Sequence, residues 1–203
     1  IPNLIVSAPK DENELQHLLY TAVQAGHPMA IRYPRGAGLG VKLDAKLHSI
    51  PIGKGEILKD GEDMVILAIG AMVAPTLEAA RELATKGIEA TVINARFAKP
   101  LDSELIVKLA NRIRRVVTVE ENTLSGGFGG SVVDLLQKSG VSNIQVKSIG
   151  LPDEFIEQGS QTVLRSKYGL DANGIVRHVL SLFPAIEAKS SAGVKDETQA
   201  IPF

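Results

Sequence analysis

Two stretches of the sequence carry side chains whose types and spacing could do chemistry. The first is Arg32-Tyr33-Pro34-Arg35-Gly36, directly after the apolar run Met29-Ala30-Ile31. Pro34 has no amide hydrogen and a fixed φ, so it stops a strand. Gly36 lets the backbone turn. Arg35 is therefore expected on a short rigid corner at the carboxyl end of a strand, where ligands bind in open α/β sheets. A guanidinium there can grip a phosphate or carboxylate through two parallel hydrogen bonds. On spacing alone, surface or interdomain ion pairs account better for both Arg32 and Arg35.

The second stretch is Glu120-Glu121-Asn122 followed by Gly126-Gly127-Phe128-Gly129-Gly130. Backbone N–H groups in a glycine loop can cradle an anion at a helix start. The dinucleotide fingerprint is absent, since Val132 or Phe128 falls where a glycine is required. Two carboxylates just before the loop would also repel a phosphate. Close packing of the loop against a neighbouring element is the better reading. The four histidines, His17, His27, His48 and His178, share no metal-ligand spacing and read as surface residues. No P-loop, zinc motif, EF-hand or nucleophile elbow is present.

The elements that must position these residues follow from periodicity. Residues 4–7 form a buried-strand candidate. Asp11 is a helix N-cap with Glu14 three residues on, the spacing of a capping box. Leu15, Leu18, Leu19, Ala22 and Val23 then recur at helical spacing up to Gly26. Residues 29–33 make a second strand, and such a crossover implies parallel pairing. Residues 37–51 have loop composition and read as a linker. Beyond them the pattern restarts. Strands are expected at 54–58, 64–69, 90–95, 115–120 and 144–149, with a hairpin-like turn at 59–63. Helices are expected at 73–86, 102–113, 132–138, 160–167 and 172–182. In the first of these helices Val73, Leu77, Ala80 and Ala84 share a face. The continuous apolar run at 64–69 suits a strand buried on both faces. Alternating strands and helices make the second part a doubly wound α/β domain. Two strands and one helix cannot make a core, so residues 1–36 read as the end of a larger domain.

Composition excludes several classes. The 203 residues carry 22 Lys and Arg against 23 Asp and Glu, a formal net charge of -1. No overall basic field draws the chain to nucleic acid or to an anionic membrane. There is no cysteine, which excludes disulfides, thiol catalysis and thiolate metal sites. No apolar run reaches the ~18 residues of a membrane helix. The first residues lack Met and a basic segment, so the chain is expected to be a piece of something longer.

Several strings together carry a resemblance. They are Ala8-Pro9-Lys10-Asp11-Glu12-Asn13-Glu14-Leu15, Arg32-Tyr33-Pro34-Arg35-Gly36, Pro51-Ile52-Gly53-Lys54-Gly55, Arg96-Phe97-Ala98-Lys99-Pro100-Leu101-Asp102, Val119-Glu120-Glu121-Asn122 and the stretch from Gly150-Leu151-Pro152-Asp153 to Gly159. In this order and spacing they resemble the C-terminal third of the 1-deoxy-D-xylulose-5-phosphate synthases, within the transketolase-like family of thiamin diphosphate enzymes. The resemblance runs from residue 1 to about 183.

The resemblance implies an α/β architecture in two parts. Residues 1–36 would end a thiamin diphosphate pyrimidine-binding domain, with a linker at 37–51. Residues 52–183 would form a transketolase C-terminal domain, a mostly parallel five-stranded sheet with 54–58 as its antiparallel edge. Residues 184–203 would be a flexible tail. It further implies a parent enzyme that condenses pyruvate with glyceraldehyde 3-phosphate, with loss of carbon dioxide, using thiamin diphosphate and Mg2+. The parent would be a homodimer in the bacterial cytoplasm, or in a plastid if from a plant. The family places a phosphate-holding arginine at the Tyr-Pro-Arg-Gly corner, which is Arg35, and this reverses the reading from spacing alone. The motif Gly-Asp-Gly followed by Asn, which holds metal and diphosphate in the family, is absent, so no catalytic, cofactor or metal residue is assigned here. Two other readings stand beside this one. One is the β subunit of a 2-oxo acid dehydrogenase. The other is a non-catalytic dimerisation or ligand-sensing module.

Overall fold

The computed structural model describes residues 1–182, so the tail expected at 184–203 lies outside the described residues. In chain order the elements are β1 (Ile5–Ser7), α1 (Glu12–Gln24), β2 (Met29–Ile31), β3 (Glu56–Lys59), β4 (Met64–Ala68), a 3-10 turn at Gly70–Met72, α2 (Val73–Thr85), β5 (Ala90–Asn94), β6 (Phe97–Lys99), α3 (Ser103–Ile113), β7 (Arg115–Thr123), α4 (Phe128–Lys138), β8 (Gln145–Leu151), α5 (Gln161–Lys167) and α6 (Ala172–Leu182). None of these helices is long and apolar enough to cross a membrane.

The larger sheet has the order β3-β5-β4-β7-β8. Its pairs are parallel except at the β3 edge, which runs antiparallel to β5. Strand β4 explains its own sequence. Met64, Ile66 and Ala68 pack on one face with Leu83 of α2 and Val176 of α6. Val65 and Leu67 pack on the other with Ile106 and Leu109 of α3 and Val132 of α4. Both faces are covered, so the strand is apolar throughout.

The turn at 59–63 does not make a hairpin, because β5 lies between β3 and β4. The chain instead crosses the start of β5. A Cβ at Gly61 would lie 2.6 Å from the Glu89 and Ala90 carbonyl carbons, and the Gly61 N–H donates to Thr91 Oγ1 at 3.0 Å. The face of α2 turned to the core is largely the expected one. Val73 and Ala80 are buried together with Thr76, Ala79 and Leu83, and Leu77 packs partly buried against the same core, while Ala84 is half-buried outside it.

The smaller sheet has the order β2-β1-β6. The β1–β2 pair is parallel as expected. Its third strand, β6, has no counterpart among the strands expected from periodicity and runs antiparallel to β1. Ile5, Leu18, Ile50 and Phe97 form a small core beneath it. The expected apolar face of α1 is largely wrong. Leu18 is buried, but Leu19 is 50% and Val23 81% exposed. The buried face is Glu14, His17, Leu18 and Thr21, because α1 packs through polar partners.

Chief among these partners is the Glu14 carboxylate, whose side chain is 2% exposed. It accepts from Arg96 Nε at 2.7 Å, Asn94 Nδ2 at 2.8 Å and the Lys10 N–H at 2.7 Å. Glu56 of β3 takes the other side of the same cations, from Arg96 Nη2 at 2.8 Å and Lys10 Nζ at 3.1 Å. Half of the expected capping box is present, since Asp11 accepts from the Glu14 N–H at 2.7 Å. The Glu14 side chain bonds elsewhere because a buried charge needs charged partners.

Glu14→Ala leaves Arg96 half-paired in a desolvated setting and is expected to cost about 3 kcal/mol in urea denaturation. A loss below ~0.5 kcal/mol, the range of an exposed pair, would show that the network contributes nothing.

Candidate functional site

Arg35 follows β2 on an irregular corner, as expected, and is exposed. A cleft of about 780 Å³ opens beside it, between the start of α1, the corner, and the α5–α6 segment. Lys10, Glu12, Arg35, Pro75, Gln161 and Arg165 are among its walls. Two of the three cations are already paired. Lys10 is held by Glu14 and Glu56, and Arg165 donates from Nε to Glu121 at 2.6 Å. The Arg35 guanidinium has no ion-pair or hydrogen-bond partner among the described residues. Arg165, though ion-paired, keeps a buried Nη2 without a hydrogen-bond partner, so Arg35 is the cation of this cleft that is in no ion pair among the described residues.

Three ties hold the corner. Before it, Arg32 donates to the Glu121 carbonyl at 2.6 Å, with its guanidinium 3.8 Å from the Glu121 carboxylate. On it, the Arg35 carbonyl accepts from Gln161 Nε2 at 2.6 Å. After it, the Glu12 carboxylate accepts the N–H groups of Leu39 at 3.0 Å, Gly40 at 2.5 Å and Val41 at 3.0 Å. These donors, after the residue's own N–H, hold the Glu12 carboxyl below its ordinary value. Sequence reasoning missed Glu12 and Gln161. A signal existed in Gly38 and Gly40. A Cβ at Gly38 would lie 2.7 Å from Glu12 Cδ, and Gly40 has a φ of 78°.

The glycine stretch packs rather than binds. Helix α4 begins at Phe128, not at Val132, so Phe128, Gly129 and Gly130 form its first turn. The anion at this helix start is the chain's own. Glu120 accepts the Phe128 and Gly129 N–H groups, each at 2.8 Å. A Cβ at Gly129 would lie 2.4 Å from Ser148 Oγ, which excludes any side chain there.

His17 is not a surface residue. It is 3% exposed, while His27, His48 and His178 are exposed. His17, Asp44 and His48 lie close enough together to hold a metal. Both ring nitrogens of His17 are already engaged, however. Nε2 meets Asp44 Oδ2 at 2.8 Å, and Nδ1 accepts the His48 N–H at 3.3 Å. The cluster fastens residues 44–48 to α1.

The mostly parallel five-stranded sheet with its antiparallel edge belongs to a transketolase-type chain. The profile described as the transketolase C-terminal domain matches residues 53–175, and the chain belongs to that family. It is 57% identical over 175 residues to 1-deoxy-D-xylulose-5-phosphate synthase 1 of Geobacter sulfurreducens, covering 86% of this chain and 28% of that protein. It is 54% identical over 183 residues to the synthase of Dehalococcoides mccartyi, covering 90% and 29%. The chain thus spans under a third of these curated relatives. A solved structure described as a split gene transketolase, inactive beta4 tetramer, superimposes with a TM-score of 0.73 at 31% identity, over 95% of this chain and 59% of that one.

Burial pushes the Glu120 carboxyl above its ordinary 4.5, against the pull of its two N–H donors and Arg32. The folded state therefore holds this proton longer than the unfolded chain. The associated stability is complete below the unfolded pKa and is lost as pH rises through the folded one. Urea denaturation across pH is expected to show the native chain losing stability relative to Glu120→Gln as pH climbs from about 4.5. A difference that stays constant with pH would contradict this.

Proposed function

We propose that this chain is the C-terminal part of a 1-deoxy-D-xylulose-5-phosphate synthase, and that Arg35 holds the phosphate of glyceraldehyde 3-phosphate. The observation that carries the reading is the unpaired Arg35 guanidinium on a tied corner beside a cleft whose other cations are neutralised. The identities to named synthases support it over a 2-oxo acid dehydrogenase β subunit or a non-catalytic module. The parent condenses pyruvate with this phosphorylated aldehyde and releases carbon dioxide.

Thiamin diphosphate supplies the electron sink for the decarboxylation in enzymes of this kind. The described residues of this chain do not fit its diphosphate or an accompanying Mg2+, since no Gly-Asp-Gly followed by Asn occurs in the sequence and Glu120 fills the glycine-rich start of α4. We assign those ligands to the rest of the parent. What the chain contributes is charge and position at the phosphate end of the substrate. Residues 1–36 are read as the end of the pyrimidine-binding domain, 37–51 as a linker and 52–183 as the C-terminal domain. The exposed Leu19 and Val23 on α1 support a further layer of the same protein against that side. The parent is read as a cytoplasmic homodimer.

Arg35→Ala in the full-length parent removes a charge-assisted hydrogen bond of about 1.5–3 kcal/mol. At about 1.4 kcal/mol per decade, kcat/KM for glyceraldehyde 3-phosphate is expected to fall roughly 10- to 150-fold. Unphosphorylated glyceraldehyde should lose far less. Arg35→Lys should recover only part, since a point charge replaces a fork. Equal losses with both acceptors would make Arg35 structural.

A further inference from the structure

We propose that Gln161 is a positioning residue for the phosphate site. Through it, the short helix α5 takes part in recognising a group that it does not touch. The inference rests on the assignment of Arg35 to a substrate phosphate.

Strand pairing ends at Ile31, yet the backbone polar groups beyond it still need partners. The Arg32 N–H is the last to join the sheet, donating to the Ser7 carbonyl at 2.8 Å. The Glu12 clasp resumes at Leu39. Between these points, the Gln161 amide on the Arg35 carbonyl is the sole hydrogen bond to residues 33–38 among the described residues. The amide also packs against the corner, since a Cβ at Gly36 would lie 3.4 Å from Gln161 Nε2.

Helix α5 is in register with the corner by an independent route. Glu121, at the end of β7, binds Arg32 just before the corner and Arg165 one turn beyond Gln161. One carboxylate therefore indexes both the loop that carries Arg35 and the helix that carries Gln161. Fixing the carbonyl of Arg35 fixes the plane from which its side chain leaves. A fork that must meet two phosphate oxygens at once is sensitive to that plane.

The test is steady-state kinetics on the full-length parent, with Gln161→Met as the near-isosteric variant that lacks the donor. Loss of a neutral hydrogen bond predicts about a 2- to 10-fold fall in kcat/KM for glyceraldehyde 3-phosphate. The loss should lie mainly in KM, with unphosphorylated glyceraldehyde unaffected. In an Arg35→Ala background, Gln161→Met should cause no further loss, because the group that it positions is gone. Equal losses with both acceptors, or an undiminished loss in the Arg35→Ala background, would overturn the inference while leaving Arg35 in place. So would no loss at all from Gln161→Met. If Arg35→Ala itself treats both acceptors alike, the phosphate assignment fails, and the role of Gln161 with it.

Discussion

The buried carboxylate of Glu14 is the interaction on which the arrangement depends. A charge removed from water must be met by charge and hydrogen bonds. Glu14 finds them on Lys10, Asn94 and Arg96, and so brings α1 against the end of β5. Arg96 sits where the chain leaves one sheet for the other, with a left-handed φ of 58°. Such a conformation costs about 1–3 kcal/mol in a residue with a Cβ and persists where its surroundings over-determine it. Here Glu14 and Glu56 hold its side chain, and the Ala8 N–H donates to its carbonyl at 2.8 Å. The kink feeds β6 into the smaller sheet beside β1. The strained residue and the partly buried ion network centred on Glu14 thereby tie the two sheets together.

The Arg35 corner inherits its position from this junction. Strand β2 is placed by β1, and β1 by β6. The corner then leaves the sheet and is caught from two sides, by Glu12 of α1 and by Gln161 of α5. Charge is distributed the same way. Acids neutralise Lys10, Arg32, Arg96 and Arg165, and each of these cations does structural service. Arg35 is left without such a partner among the described residues. In the proposed reading, selectivity for an anion rests on that asymmetry and not on net charge, which is close to zero.

The readable parts of the sequence were those governed by local physics. The strand at 64–69, the caps at Asp11 and Asp102, and the glycine closing α1 are set by neighbours within a few residues. The corner at Pro34 was readable for the same reason. What escaped was set at long range. Glu14 looked like half of a capping box because its true partner, Arg96, is 82 positions away. The β3–β4 hairpin was expected because adjacent strands usually pair, but β5 inserts between them. Strand β6 is three residues long, too short for any periodicity. His17 looked like a surface histidine because burial by residues 44–50 leaves no mark on the helix pattern itself. Glu12 and Gln161 act as ties on backbone groups, which every residue shares, so the side chains themselves gave no sign; Gly38 and Gly40 were the one trace of the Glu12 contact.

A crystal structure of the complete enzyme, with a phosphorylated acceptor or its phosphonate analogue bound, tests this arrangement most directly. The phosphate oxygens should lie within hydrogen-bond distance of the Arg35 guanidinium. The Gln161 amide should remain on the Arg35 carbonyl, and Glu12 on the N–H groups of 39–41. A phosphate bound away from the corner, with Arg35 instead paired to a protein carboxylate, would contradict the assignment.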